Sequence, residues 1–212
     1  MRSAFSLVCV AVCVLAARPA LAVWTLGVKG GVNMGDLSGD QAPGDSSMRT
    51  GFAGGTFAGF EVNGRFGIRG EVLYIQKGAE GSFVIPGDDH AHESVIKLDY
   101  VEVPVLFTAK FPAGEEFVFS LFAGPTLSFN TTAEVEVPGH NETVELDDVE
   151  SFEIGGAVGG GVEYLLSSFS ILADVRYGIG ATSAVQDVDG QSFDVKNRGI
   201  AIMGGLAIPM GR

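Results

Sequence analysis

The chain has 212 residues, of which 46% are hydrophobic, 18% charged and 31 are glycine. That apolar content excludes a disordered chain. Glycine at about twice its ~7% average, without a G-X-Y period, excludes collagen and argues against long helices, where each glycine costs ~1 kcal/mol relative to alanine. Thirteen basic against 26 acidic residues give a net charge of −13, so nucleic acid is not an expected partner.

The amino end reads as a secretory signal over residues 1–22. Met1-Arg2 gives a positive start, Ala4 to Ala17 is an uncharged apolar run, and Ala20-Leu21-Ala22 is a small-x-small cleavage pattern. A run of 14 residues is too short to span a bilayer as a helix. Both cysteines, Cys9 and Cys13, fall inside it. The remaining domain, 23–212, therefore has no disulfide, thiolate metal site or cysteine nucleophile. Losing Arg2 and Arg18 leaves 11 basic residues against 26 acidic ones, a net charge of −15.

Beyond residue 22 the sequence alternates in period 2, the mark of half-buried strands. Eight strands are expected. The first sets Trp24, Leu26, Val28, Val32 and Met34 against Thr25, Gly27, Lys29, Gly31 and Asn33. The second, near 51–62, sets Phe52, Ala58, Phe60 and Val62 against Gly55, Gly59 and Glu61, with Thr56 and Phe57 out of phase. Asn63-Gly64 is a two-residue hairpin signal. The third strand, near 66–77, sets Phe66, Ile68, Val72 and Tyr74 against Arg69, Glu71 and Lys77. The fourth, near 100–111, sets the odd positions Val101 to Phe111 against Glu102, Thr108 and Lys110. After a turn at Pro112–Glu116, the fifth (near 117–130) sets Phe117, Phe119, Leu121, Leu127 and Phe129 against Ser120, Thr126, Ser128 and Asn130. The sixth (near 152–166) sets Ile154, Val158, Val162 and Tyr164 against Gly155, Gly159, Gly161 and Glu163. Past Ser167-Ser168, the seventh sets Phe169, Ile171, Ala173, Val175, Tyr177 and Ile179 against Asp174 and Arg176. The eighth sets Ile200, Ile202, Leu206 and Ile208 against small residues.

Short turns alternate with long connections near 35–49, 78–95, 131–150 and 182–196, the pattern of an up-and-down meander with two unlike rims. The long connections carry net charges of −2, −4, −7 and −2, which account for the whole −15.

Alternation alone leaves open whether the apolar face lines a core or meets lipid. The polar face holds mainly small residues and five charges of each sign: Lys29, Arg69, Lys77, Lys110 and Arg176 against Glu61, Glu71, Glu102, Glu163 and Asp174. This balance fits ion pairing in a crowded interior, where an unpaired ion costs several kcal/mol. The apolar face has no charge in any strand middle, and Asp99 and Arg198 fall at loop-side ends. Trp24, Phe60, Phe66, Phe111, Phe117, Tyr164 and Phe169 gather near the termini and short turns, as an interfacial girdle requires. The reading is lipid outside and charge inside.

These residues resemble the small eight-stranded bacterial outer-membrane β-barrels, the OmpA/OmpX-like group described as outer membrane protein beta-barrel domain and often labelled porin family. GVKGGVNMG, GEVLYIQKG, LDYVEVPVLF, LFAGPTLSF and KNRGIAIMGGLAI carry the likeness over nearly all of 23–212. It implies an all-β, eight-stranded antiparallel up-and-down transmembrane barrel in the bacterial cell outer membrane. The implied partners are outer-membrane lipid, lipopolysaccharide and the barrel assembly machinery. Such chains commonly end in an aromatic residue, whereas this one ends Pro209-Met210-Gly211-Arg212.

The expected lumen network is Lys29, Arg69, Glu71, Glu102, Lys110, Glu163, Asp174 and Arg176, paired so that eight strands enclose a filled bore. Asp88, Asp89, His90, His92 and Glu93 form the weak metal candidate, since these ligand types suit zinc, nickel or copper, but a solvated loop explains them better. The acidic third connection is suited to divalent cations. All three histidines, His90, His92 and His140, are expected in loops. That placement leaves no strand histidine for hydrolysis, and no cofactor is expected. The leading functional expectation is a monomer with a structural, envelope-integrity or surface-interaction role through its acidic loops. The alternatives are a narrow porin for small solutes and, less supported, a lipid hydrolase.

Overall fold

A computed structural model describes residues 23–38, 47–62, 64–84, 91–137, 142–145, 150–183 and 195–210. The signal segment expected over 1–22 lies outside them. Nine strands follow in chain order: β1 (Val23–Ser38), β2 (Ser47–Val62), β3 (Phe66–Val84), β4 (Ala91–Ala113), β5 (Phe117–Val137), β6 (Glu142–Glu145), β7 (Phe152–Leu165), β8 (Ser170–Gly180) and β9 (Lys196–Met210). Eight form the barrel. Each pairs antiparallel with its neighbours, and β1 closes on β9. The ninth, β6, pairs with β5 alone.

Barrel geometry follows from the register. Starting at Trp24 and stepping across hydrogen-bonded partners, the path runs through Phe60, Ile68, Phe107, Ala123, Val158, Tyr177 and Ile200. It returns to β1 at Met34, ten residues along the strand from its start. A stagger of ten across eight strands tilts them by about 40° for the usual strand spacings. Ten residues at that tilt rise about 25 Å, the height of the apolar band on a transmembrane barrel.

The outward positions over this rise are apolar or small throughout. Trp24, Leu26, Val28, Val32, Phe107, Leu121, Val158, Val175, Ile202 and Leu206 are among those exposed. No charged residue interrupts them between the two ends. Aromatic pairs mark both rims of the band: Trp24–Phe60 and Phe117–Tyr164 (ring centroids 5.0 Å apart) at the short-turn end, Phe129–Phe152 (5.3 Å) at the other.

Four details depart from the sequence reading. The strands next to the long connections run further than alternation suggested: β3 to Val84, β4 from Ala91 and β5 to Val137. Their outer parts pair with one another, so backbone bonding continues where the apolar–polar signal has stopped. At the first hairpin, Val62 pairs with Phe66. Three residues therefore connect the strands instead of two, with Gly64 at φ +63°. The lumen is also less polar than expected, because Phe57, Leu73, Ile75, Leu106, Phe122 and Met203 point inward and are buried. Phe57, out of phase in the sequence, is in fact a lumen residue.

Inward glycines allow strands to approach closely. A Cβ at Gly55 would lie 2.0 Å from the Val72 carbonyl oxygen, and one at Gly31 2.0 Å from that of Ile202. Outward Gly70 has nothing within 4 Å of the same position. The Gly55→Ala change is therefore expected to lower barrel stability in lipid vesicles by about 1–3 kcal/mol through forced backbone displacement. Gly70→Ala should leave the urea midpoint unchanged.

Candidate functional site

The inward charges form three tiers along the lumen. In the middle tier, Lys29 on β1 bonds Glu71 on β3 at 2.8 Å and Asp174 on β8 at 3.0 Å. Arg69 pairs with Glu71 at 2.7 Å and Asp174 at 3.5 Å, and Arg176 also bonds Glu71. Glu71, fully buried, thus answers three cations from three strands. Arg69 lies 4.5 Å from the Phe122 ring centroid and 5.7 Å from that of Phe57. Such cation–π contacts stabilise by up to ~2 kcal/mol when water is excluded.

Towards the long connections, Lys77 pairs with Glu102 at 2.9 Å and Glu153 at 3.3 Å. Ser128 donates to Glu102 at 3.2 Å, and the Asn197 amide donates to Glu153 at 2.6 Å. Arg176 reaches Glu102 at 3.8 Å, joining this tier to the middle one. At the short-turn end, Lys110 bonds both Glu61 and Glu163, the latter at 3.1 Å. Alternate placement along strands of fixed register is what brings these residues together: Lys110 pairs with Ser120 and Ser120 with Gly161, so the inward faces of β4, β5 and β7 converge.

All eight residues expected in the network face this lumen. Glu61 and Lys77, also assigned inward from the sequence, complete ten. The sixth acid, Glu153, was missed because its strand was read from Phe152 with Gly155 as the first inward position. Its parity with Gly155 and Glu163 was the signal that would have found it. Among the described residues the lumen thus holds six acids and five bases.

The space left over is small. A cavity of about 30 Å³ lies beside Lys77, Glu102, Thr126, Arg176 and Asn197. Another of about 50 Å³ lies beside Glu61, Arg69, Lys110, Ser120, Glu163 and Asp174. One water needs roughly 10–15 Å³ of such space, so each holds a few waters.

A second ionic cluster sits on the wall at the long-connection end. Arg49 pairs with Asp99 at 3.3 Å, and the Tyr74 hydroxyl donates to Asp99 at 2.6 Å. Asp99 adjoins the register shift of the β4–β5 ladder, and Arg49 the one between β2 and β3. Of the weak metal candidates, Asp88, Asp89 and His90 lie outside the described residues. His92 falls on β4 opposite Phe83, and Glu93 opposite Ser82. His92 is thus a strand residue, contrary to the expectation that all three histidines sit in loops, because the β3–β4 ladder extends this far. Among the described residues, no group of three or more His, Cys, Asp or Glu is placed to hold a metal.

An apolar belt of bilayer height, aromatic rims, closed hydrogen bonding and an ion-paired lumen define a transmembrane β-barrel, because lipid tolerates neither open strand edges nor charge on the outer wall. A model of the outer membrane protein beta-barrel domain family matches residues 18–184, and the chain belongs to that family. Its location is the bacterial outer membrane. The structure is similar to Neisserial surface protein A, with 16% identity, TM-score 0.48, and 86% of this chain and 96% of that one covered. It is also similar to OprG from Pseudomonas aeruginosa (10%, 0.47, 89% and 96%) and to Ail of Yersinia pestis (16%, 0.40, 87% and 98%). No curated protein matches the sequence.

Proposed function

We propose that the protein serves the outer membrane as a closed, monomeric barrel whose acidic connections face outward and act in envelope integrity or surface contact, with the short turns in the periplasm. The carrying observation is the lumen: three tiers of ion pairs and inward Phe57, Phe122, Tyr100 and Met203 occupy it, and the two cavities described among them hold a few waters each. With the interior filled, the feature left to act on other molecules is the rim. Its charge of −15 favours divalent cations, including those that bridge lipopolysaccharide phosphates, and cationic groups on a partner surface.

Planar-bilayer recording of the purified barrel tests this reading against the narrow-porin alternative. No conductance steps above the bare-bilayer baseline are expected. Regular steps that persist in a variant with its four long connections shortened would establish passage through the lumen and overturn the proposal.

A further inference from the structure

The two ends of the lumen are lined differently. At the short-turn end, side-chain exposure falls steadily inward: 20% at Lys110, 17% at Glu61 and Glu163, 13% at Arg69, 2% at Asp174 and zero at Lys29. This gradient runs along the larger cavity. Asp174 Oδ1 is buried there without a hydrogen-bond partner among the described residues. Around and beyond the Lys77–Glu153 pair at the opposite end lie apolar inward positions. Leu37, Ala79, Leu98, Tyr100 and Val195 belong to one packed cluster and are each no more than 6% exposed. The cluster draws on β1, β2, β3, β4, β9 and the residue before β9, and β4 and β9 stand four strands apart in a barrel of eight, so it reaches across the mouth.

We infer that the barrel is a blind vestibule, wetted from the short-turn end down to the Asp174–Lys29 floor and sealed at the long-connection end by the apolar plug. Ion-paired walls admit water because each head group remains hydratable, whereas an apolar constriction excludes ions by dewetting. The lip carries two carboxylates, Glu61 and Glu163, on one ammonium, Lys110. The lip therefore favours entry of small cations over anions, although acids and bases balance along the vestibule as a whole. Calling its open side periplasmic rests on the orientation proposed above; the asymmetry itself does not.

Because residues 23–212 contain no cysteine, single cysteines report access directly. Ser120→Cys lies in the vestibule wall and Thr126→Cys in the smaller cavity beyond the floor. Exposed Glu115→Cys on a short turn marks the side. Each variant, checked for heat-modifiable gel mobility, is inserted in one orientation into vesicles and treated from either side with cationic or anionic methanethiosulfonates. Ser120→Cys should gain one adduct mass from the side that labels Glu115→Cys, faster with the cationic reagent. Thr126→Cys should gain none from either side, until Leu98→Gly opens labelling from the loop side. Labelling of Thr126→Cys from the loop side with the plug intact would overturn the inference, as would labelling of Ser120→Cys from that side. If Glu115→Cys labels from outside the cell while Ser120→Cys still follows it, the asymmetry stands and only the orientation falls.

Discussion

Replacing Glu71 with alanine is expected to lower barrel stability by about 3–5 kcal/mol, the loss typical when one partner of a buried ion pair is removed. Three cations, Lys29, Arg69 and Arg176, converge on this carboxylate, which has no exposed side-chain surface. Asp174 would remain to answer Lys29 and Arg69, and Glu102 to answer Arg176 at 3.8 Å. The middle tier already carries three bases against two acids, so the loss falls where positive charge is in excess. Glu163→Ala should do much less, because Glu163 and its partner Lys110 are partly exposed at the lip and water takes up the slack. Urea titration of both variants in lipid vesicles measures the difference. Equal midpoints would mean that the ion pairs contribute nothing specific to closure of the barrel.

Val175→Arg is expected to destabilise the barrel by about 2–4 kcal/mol, since a cation at the bilayer midplane cannot be hydrated. Val175 is exposed on the outer wall, opposite Ile202 and Gly160, near the middle of the apolar band. The same change at Met210, on the short-turn rim, should cost only about 0–1 kcal/mol because headgroups and water are within reach. If the outer wall faced water, both changes would fall within about 0.5 kcal/mol of zero.

The barrel wall was legible in the sequence because period-2 alternation is strongest where one face meets hydrocarbon and the other a packed interior. Lys29, Arg69, Glu71, Asp174 and Arg176 each lie in a run of unbroken alternation, and each faces the lumen. Legibility faded where that contrast ends. The outer parts of β3, β4 and β5 run beyond the apolar band and show no alternation in sequence, so their pairing was not read and His92 was placed in a loop. Phe57 was read only as out of phase and Phe122 was given no face, because an aromatic on the polar face shows no partner in the sequence; both pack against Arg69 inside. The apolar plug joins positions far apart in the chain, such as Leu37, Leu98 and Val195. Only the register of the closed sheet brings them together.

Spin-label scanning along β8 tests the arrangement most directly. A nitroxide carried on single cysteines at positions 170–179 reports collisions with oxygen, which concentrates in the bilayer, and with a nickel chelate, which stays in water. Labels at 171, 173, 175, 177 and 179 should collide with oxygen and be shielded from nickel, while that at 176, beyond the floor of the vestibule, should be shielded from both. High nickel accessibility at 173 and 175 in the membrane-inserted protein would contradict the assignment of that face to lipid.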